Sequence, residues 1–358
     1  MRHVAVVGGG LAGLTAAAEL TDRSHSVTVL EASGRFGGQI ATERRDGFVI
    51  EQGAEGFLAR SAAVAELCAR IGITAGLVTQ ATRRTLAWRE GRLQELQDGE
   101  AAGLLGIPVD PEELGRGLQS LSGGMEDLIE ALLRNLRGRA RLHTEARVSA
   151  LRRDVDAWHL DCAGGESHTA DAVILAVPPR DAQVLLEPLV GARVLNGQIR
   201  YGSTLTVTLA YTREAVAHPL GASGFVVDGP EREGLRACTF SSSKFPGRAP
   251  HGWCLLRAFF TPEPARVDDS DREWSERAHR VLAPILGLSG NPERRWVCRW
   301  PAALPRYSPG HAAAVASLRA SLARHGPIDC SGGALGGGGI DGAVRSGLAA
   351  ARRMAEPA

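Results

Sequence analysis

The turn Gly8-x-Gly10-x-x-Gly13 constrains this chain more than any other feature. It follows the apolar run Val4-Ala5-Val6-Val7 and precedes apolar residues at helical spacing, Leu11, Leu14, Ala17, Ala18 and Leu20. Ser26 to Leu30 reads as a second strand, ended by Glu31. Strand, helix and strand so close together imply a parallel pair joined by a right-handed crossover. In such a turn the first glycine permits the bend. The second lets the backbone approach a diphosphate with no Cβ in the way, and the third lets the helix pack on the strand. Gly8, Gly9, Gly10, Leu11, Ala12 and Gly13 are therefore the candidate phosphate seat, where free N–H groups and the helix dipole favour an anion. Glu31 stands 18 residues beyond Gly13. Its carboxylate suits ribose hydroxyls and repels a 2′-phosphate.

Glycine accounts for 44 of 358 residues, about 12% where about 7% is usual, and the excess lies at the two ends. The length suggests two domains at about 150 residues each. Hydrophobic residues at 44% supply full cores, so disorder is excluded over most of the chain. Lys plus Arg number 41 against 40 Asp plus Glu, which gives no global pull toward nucleic acid or an anionic membrane. The six cysteines (Cys68, Cys162, Cys238, Cys254, Cys298, Cys330) form no CxxC pair and stand near no His at ligand spacing. Buried reduced thiols and no metal site are expected. Val4 to Ala18 imitates a signal-peptide core, but Gly8 to Gly10 interrupt it and Glu19 follows. No stretch reaches the roughly 18 apolar residues of a membrane span, so a cytoplasmic location is expected.

Along the chain, Gly34 to Gly38 reads as a turn, Phe48 to Glu51 as a strand and Ala62 to Ile71 as a helix. Thr85 to Leu96 reads as a hairpin around Glu90-Gly91, and 97–120 as a polar crossing between domains. A helix is expected over Met125 to Leu136, then strands over Arg141 to Leu151 and Ala157 to Cys162. Ala172 to Val177 is continuously apolar, as suits a parallel strand covered on both faces. From Leu205 to Phe260 strands alternate with turns, which implies an antiparallel sheet. Helices are expected over Trp274 to Leu286, His311 to Ala323 and Ile340 to Met354, the last after the glycines 332 to 339. The pattern is α/β, a Rossmann-like domain built from 1–75, 123–182 and 325–358. An inserted antiparallel-sheet substrate domain comprises 76–122 and 183–324.

After Glu31-Ala32 comes Arg35-Phe36-Gly37-Gly38, which nicotinamide dehydrogenases do not require. With the glycine run Gly332 to Ser346 it resembles the flavoprotein superfamily of monoamine oxidases, phytoene desaturases and protoporphyrinogen oxidases. That resemblance implies non-covalent FAD, with the last helix aiming its positive end at the flavin pyrimidine ring. It implies cofactor contacts at Glu31, Ala32, Arg35, Gly37, Gly38, Gln39, Gly53, Ala54, Glu55, Val148, Gly332, Gly339, Ile340 and Val344.

Several further blocks, in family order, are similar to protoporphyrinogen or coproporphyrinogen oxidases of heme biosynthesis. They include Glu51-Gln52-Gly53-Ala54-Glu55-Gly56-Phe57-Leu58, Gly123-Gly124-Met125, Thr206 to Tyr211, Gly224 to Val227, Ser242 to Pro250 and Arg299-Trp300-Pro301 through His311. The block 241–250 stands apart, because cofactor binding alone does not demand it. The resemblance implies oxidation of a porphyrinogen to the porphyrin with dioxygen as acceptor. It also implies that Arg84 grips a propionate of the tetrapyrrole, a task suited to a guanidinium fork. Two departures stand out. Leu93 and Gly124 are only 31 positions apart, so the family's helical insertion is missing. The tail carries Leu335, Gly336 and Asp341-Gly342, closer to the amine-oxidase form. Membrane contact is then at most peripheral, and a partner protein or second copy is a candidate for the lost cavity wall. Two other readings stay open: a flavin amine oxidase or desaturase on another small substrate, and a non-catalytic tetrapyrrole-binding flavoprotein.

Overall fold

Strand His3–Val7 alternates its side chains between two cores. Val4 and Val6 face one way with Val27, Val29 and Ile174. Ala5 and Val7 face the other way with Leu30, Val173 and Leu175. The period of two on a strand buried on both faces makes this the centre of a three-layer unit. A computed structural model describes residues 1–106, 117–191, 199–229, 233–261 and 266–356. Its central sheet has five parallel strands in the order Arg141–His143, Ser26–Leu30, His3–Val7, Ala172–Leu175, Ile328–Cys330. One face is covered by helices Leu11–Asp22 (the opening helix), Glu126–Leu136 and Gly339–Ala355 (the closing helix), through Leu14, Leu132 and Val344. The other face meets the small antiparallel sheet Val148–Arg153, Trp158–Cys162, Ser167–Ala170 and helices Pro179–Val190 and His311–Leu322.

The second unit is a seven-stranded sheet. Its order is Arg294–Tyr307, Ile199–Thr212, Trp253–Phe260, Leu235–Phe240, Gly224–Val227, Leu86–Arg89, Arg92–Glu95. Helix Asp271–Leu286 closes its core with Trp274, Ala278 and Leu282. A three-stranded sheet of Phe57–Leu58, Leu118–Leu121 and Leu77–Thr79 bridges the two units.

The structure corrects several expectations. Arg141 to Leu151 is two strands in two sheets, because Glu145 takes a left-handed φ of +57° and turns the chain between them. The crossing 97–120 contains helix Glu100–Leu105 and strand Leu118–Leu121, while its middle, 107–116, lies outside the described residues. The large sheet is not wholly antiparallel, since Leu86–Arg89 pairs parallel with Gly224–Val227. Helix Asp271–Leu286 starts three residues early, on a capping box between Ser270 and Glu273. Helix His311–Leu322 and the whole of Pro179–Val190 pack under the parallel sheet through Leu318, Leu322, Leu185 and Leu186. On that packing we propose boundaries after 190 and before 311 in place of 182 and 325. All six cysteines are free, and only Cys298 is not fully buried. Among the described residues no helix is long and apolar enough to cross a membrane.

Candidate functional site

Two glycine-laden loops leave the same edge of the parallel sheet. His3–Val7 runs into Gly8 to Gly10, and Ile328–Cys330, two strands along, runs into Gly332 and its successors. A crevice outside the carboxyl ends of parallel strands is where open α/β sheets bind ligands. The helices that follow are pressed together, for a Cβ on Gly347 of the closing helix would lie 2.4 Å from the Ala12 carbonyl oxygen. The first turn of the opening helix therefore meets the middle of the closing helix, whose own N-terminus at Gly339 lies eight residues earlier. Neither has a side-chain cap: Gly10 and Gly338 hold the N-cap positions. The first opening-helix bond after the turn is Leu14 N–H to the Gly10 carbonyl, at 2.9 Å.

The glycines of the first turn divide by cause. Gly8 has φ +106°, and a Cβ on it would sit 2.6 Å from the Ala176 oxygen. A Cβ on Gly9 would strike the Phe36 ring at 2.3 Å, and one on Gly13 the Gly8 oxygen at 2.0 Å. Gly10 differs. Its φ of −75° and ψ of 179° suit any residue, and a Cβ there would meet only the Gly38 Cα, at 3.8 Å. Nothing in the chain itself demands glycine at Gly10. A diphosphate laid on this backbone does, so the residues present fit a dinucleotide cofactor.

Glu31 is held ready beside that turn. Its carboxylate accepts from the Gly9 N–H at 2.7 Å and from the Ser33 N–H at 2.8 Å and hydroxyl at 2.7 Å. Ala146 and Glu145 donate their N–H groups to the carbonyls of Glu31 and Ser33, which brings Val148 close to Glu31-Ala32. Gly37 donates its N–H to the Gly9 carbonyl at 2.8 Å and places Gly38, exposed, against Gly10. Arg35 does not aim its fork outward. Its guanidinium donates to the carbonyls of Phe36, Gly38 and Ile40, clamping the 36–40 turn. Gln39 ties that turn to the large sheet by donating to the Ala303 carbonyl at 3.0 Å. At the other loop, Gly332 and Gly339 have φ of +139° and +73° and open space where a Cβ would stand, while Ile340 and Val344 are buried.

The segment Gln52 to Glu55 runs beside the 36–40 turn, with the Gln52 N–H donating to the Ala41 carbonyl at 2.9 Å. Trp300 Nε1 donates to the Gln52 carbonyl at 2.7 Å, and Arg257 donates to the carbonyls of Gln52 and Gly53 at 3.0 and 2.8 Å. Ala54 is exposed at the rim. Behind it Glu55 accepts an ion-pair bond from Lys244, the lysine of the block 241–250. Burial would raise the Glu55 carboxyl, yet Lys244, Arg257 and Arg248 hold it below the ordinary range. Glu51 accepts from the Thr42 hydroxyl and the Met125 N–H, both at 2.8 Å, with Arg248 at 3.3 Å, and burial pushes its carboxyl up. The motif reading named Glu55 and the blocks that carry Glu51, Lys244 and Arg248, but did not join them with Arg257 into one cluster. Its signal was charge in apolar company, at Lys244, Arg248 and Arg257.

Arg84 lies apart from the glycine loops, half exposed on the approach to strand Leu86–Arg89. It is paired with Glu95 at 2.8 and 3.2 Å through Nη2 and Nε, leaving Nη1 without a partner among the described residues. Two cavities flank the crevice. One, about 560 Å³, runs between helix Ala62–Arg70 and the closing helix and carries Arg60, Arg345 and Arg352. The other, about 300 Å³, touches Glu51, Gln52 and Cys298. Neither is lined by Gly10 or Gly38.

Comparison with known proteins agrees with this geometry. The model of the family described as flavin containing amine oxidoreductase matches residues 11–114 and 99–355. Its two segments overlap at 99–114, between Leu93 and Gly124. The chain is 24% identical to coproporphyrinogen III oxidase of Bacillus subtilis (strain 168), over 98% of this chain and 97% of that protein. That alignment runs to 460 positions against 358 residues here, so about a hundred positions of the relative have no counterpart. Coproporphyrinogen III oxidase of Mycobacterium bovis is 29% identical over 90% of both chains. Among solved structures, a candidate protoporphyrinogen oxidase from Exiguobacterium sp. 255-15 superposes with a TM-score of 0.85 at 24% identity, covering 99% of this chain and 98% of that one. Cyclohexylamine oxidase from Brevibacterium oxydans IH-35A superposes with a TM-score of 0.76 at 16% identity, with the same coverage.

Proposed function

Since the chain belongs to the flavin containing amine oxidoreductase family, we propose that it oxidises a porphyrinogen, coproporphyrinogen III or protoporphyrinogen IX, to the porphyrin with dioxygen as final acceptor. The chain is an FAD-dependent oxidoreductase. What supports the porphyrinogen reading is similarity along almost the whole chain to proteins named coproporphyrinogen III oxidase.

When bound, FAD supplies the acceptor for a hydride from a saturated bridging carbon. The chain's residues bind and orient. Gly10 and the N–H groups of Leu11 and Ala12 seat the diphosphate, and Glu31 takes the ribose hydroxyls. The uncapped N-terminus of the closing helix, at Gly339 and Ile340, lies where a negative ring is favoured. On this reading the ring also lies against Gly53 and Ala54. Arg84 offers Nη1, the nitrogen that Glu95 leaves unused, to a propionate.

The deciding experiment is anaerobic. Purified protein is mixed with coproporphyrinogen III or protoporphyrinogen IX, and flavin bleaching is followed together with porphyrin fluorescence. Bleaching with fluorescence supports the proposal. Flavin reduced by amines and untouched by porphyrinogens would select the amine-oxidase reading that the tail Leu335, Gly336 and Asp341-Gly342 favours. Flavin reduced by neither would leave a binding protein. Arg84→Ala should weaken porphyrin binding by roughly tenfold, as for a lost charged hydrogen bond, with flavin content unchanged. Unaltered affinity in a fluorescence titration would remove Arg84 from the site.

A further inference from the structure

The sequence holds one lysine among 41 basic residues. That lysine, Lys244, is 9% exposed, in the seam between the large sheet and the segment Glu51 to Glu55. Around it stand Arg248 and Arg257, 2% and 3% exposed, and the carboxylates of Glu51 and Glu55. Three cations meet two acids. The cluster carries one surplus positive charge when both acids are ionised and two when Glu51 is protonated, the direction in which burial moves it. An uncompensated buried charge costs several kcal/mol. Hydrogen bonding shows the same imbalance, since Arg248 Nη1 and Arg257 Nε are buried with no partner. The surplus is not remote from the crevice. Arg257 touches the carbonyls of Gln52 and Gly53, and Ala54 beside them is exposed.

We propose that this cluster is the counter-charge for reduced flavin, with Lys244 and Glu55 biasing the bound cofactor in opposite senses. The inference rests on the reading above that the flavin ring faces Gly53 and Ala54. In hydride transfer the donor's C–H bond breaks, and its electron pair and proton form an N–H bond on the ring. The neutral oxidised ring thereby becomes an anion, and the donor is left to lose a proton to solvent. A fixed positive surplus favours the anion without touching it. Lys244 and Glu55 are then positioning residues that act through charge.

Sulfite tests this without turnover, because it adds to an oxidised flavin and leaves the ring anionic, bleaching the yellow band. With FAD-loaded protein, Lys244→Met should weaken sulfite binding and Glu55→Gln should tighten it. Each shift should be on the order of tenfold for one unit charge about 10 Å away at an effective dielectric near 20. Lys244→Arg, which keeps the charge, should stay near wild type, and the reduction potential should fall in Lys244→Met and rise in Glu55→Gln. Shifts in one direction for both variants, or none, would overturn the proposal and leave a pair that only holds the seam. If Lys244→Met fails to retain FAD, Glu55→Gln still decides the sign, with Lys244→Arg as the charge-keeping control. Coproporphyrin III binding, read by fluorescence quenching, separates the other source of negative charge. Opposite shifts in porphyrin affinity with sulfite binding unmoved would assign the cluster to a substrate carboxylate and refute this assignment. Wild-type protein that binds no FAD would instead refute the site reading itself.

Discussion

Gly10 and Gly53 separate two reasons for a glycine. At Gly53 a Cβ would lie 1.7 Å from the Gln39 carbonyl oxygen, so any side chain must displace backbone. At Gly10 the only neighbour within 4 Å among the described residues is the Gly38 Cα. Gly53→Ala should therefore lower stability by about 1–3 kcal/mol, the cost of overpacking. Gly10→Val should cost about 1 kcal/mol or less, the scale of an N-cap change, yet yield protein without flavin. Thermal melts and flavin absorbance per polypeptide check both, and a fully loaded Gly10→Val would contradict the phosphate-turn argument. The glycine signature was legible because it encodes backbone geometry, which few residue types can supply. Arg35 is less legible for the converse reason. A guanidinium suits many acceptors, and here it donates to the Phe36, Gly38 and Ile40 carbonyls. The Lys244 cluster was illegible as a constellation, since its members Glu51, Glu55, Lys244, Arg248 and Arg257 come from segments nearly two hundred residues apart.

Helix Asp271–Leu286 shows how an element boundary is set by side chains that hydropathy ignores. Apolar periodicity starts at Trp274, but the Ser270 hydroxyl accepts the Glu273 N–H at 3.3 Å while Glu273 accepts the Ser270 N–H at 2.8 Å. Those bonds satisfy groups that the helix start leaves open. Ser270→Ala should lower stability by about 1 kcal/mol in a denaturant melt. No change would mean that Trp274, packed on Phe260 at 5.3 Å between ring centroids, fixes the start alone. The same blindness hid strand Arg294–Tyr307. Pro301 and Pro305 argue against a strand, but this one lies at the edge of the seven-stranded sheet, where a missing N–H need not break a ladder. By contrast Ser26–Leu30 was read with its bounds and Ala172–Val177 only two residues too long, because parallel strands covered on both faces are rich in apolar and β-branched residues.

Taken as one body, the nucleotide-binding unit depends on three helices keeping their places around the crevice, and one carboxylate joins them. Glu19, on the opening helix, is 7% exposed. It accepts from Arg70 of helix Ala62–Arg70 at 2.6 Å, from Arg23, the C-cap of its own helix, at 3.0 Å, and lies 3.6 Å from Arg352 of the closing helix. Burial alone would raise its pKa, but the bonds from Arg70 and Arg23 outweigh that and hold the carboxyl below its ordinary value of 4.5. A carboxyl whose pKa is lowered on folding adds stability above its unfolded pKa and loses it as pH falls through the folded one. Glu19→Gln should therefore cost about 2 kcal/mol at pH 7, as for hydrogen bonds to a charged group. The gap to wild type should narrow progressively below pH 4.5, the ordinary value. Glu51 has the opposite sign. Its carboxyl is raised by burial, so its ionisation opposes folding and Glu51→Gln should gain on wild type as pH rises through that carboxyl's range. Unfolding curves for wild type and both variants between pH 3 and pH 8 would show the two differences moving in opposite directions. Parallel curves for Glu19→Gln would mean that Arg70, Arg23 and Arg352 are surface decoration, and that packing of Gly347 on Ala12 alone keeps the opening and closing helices together.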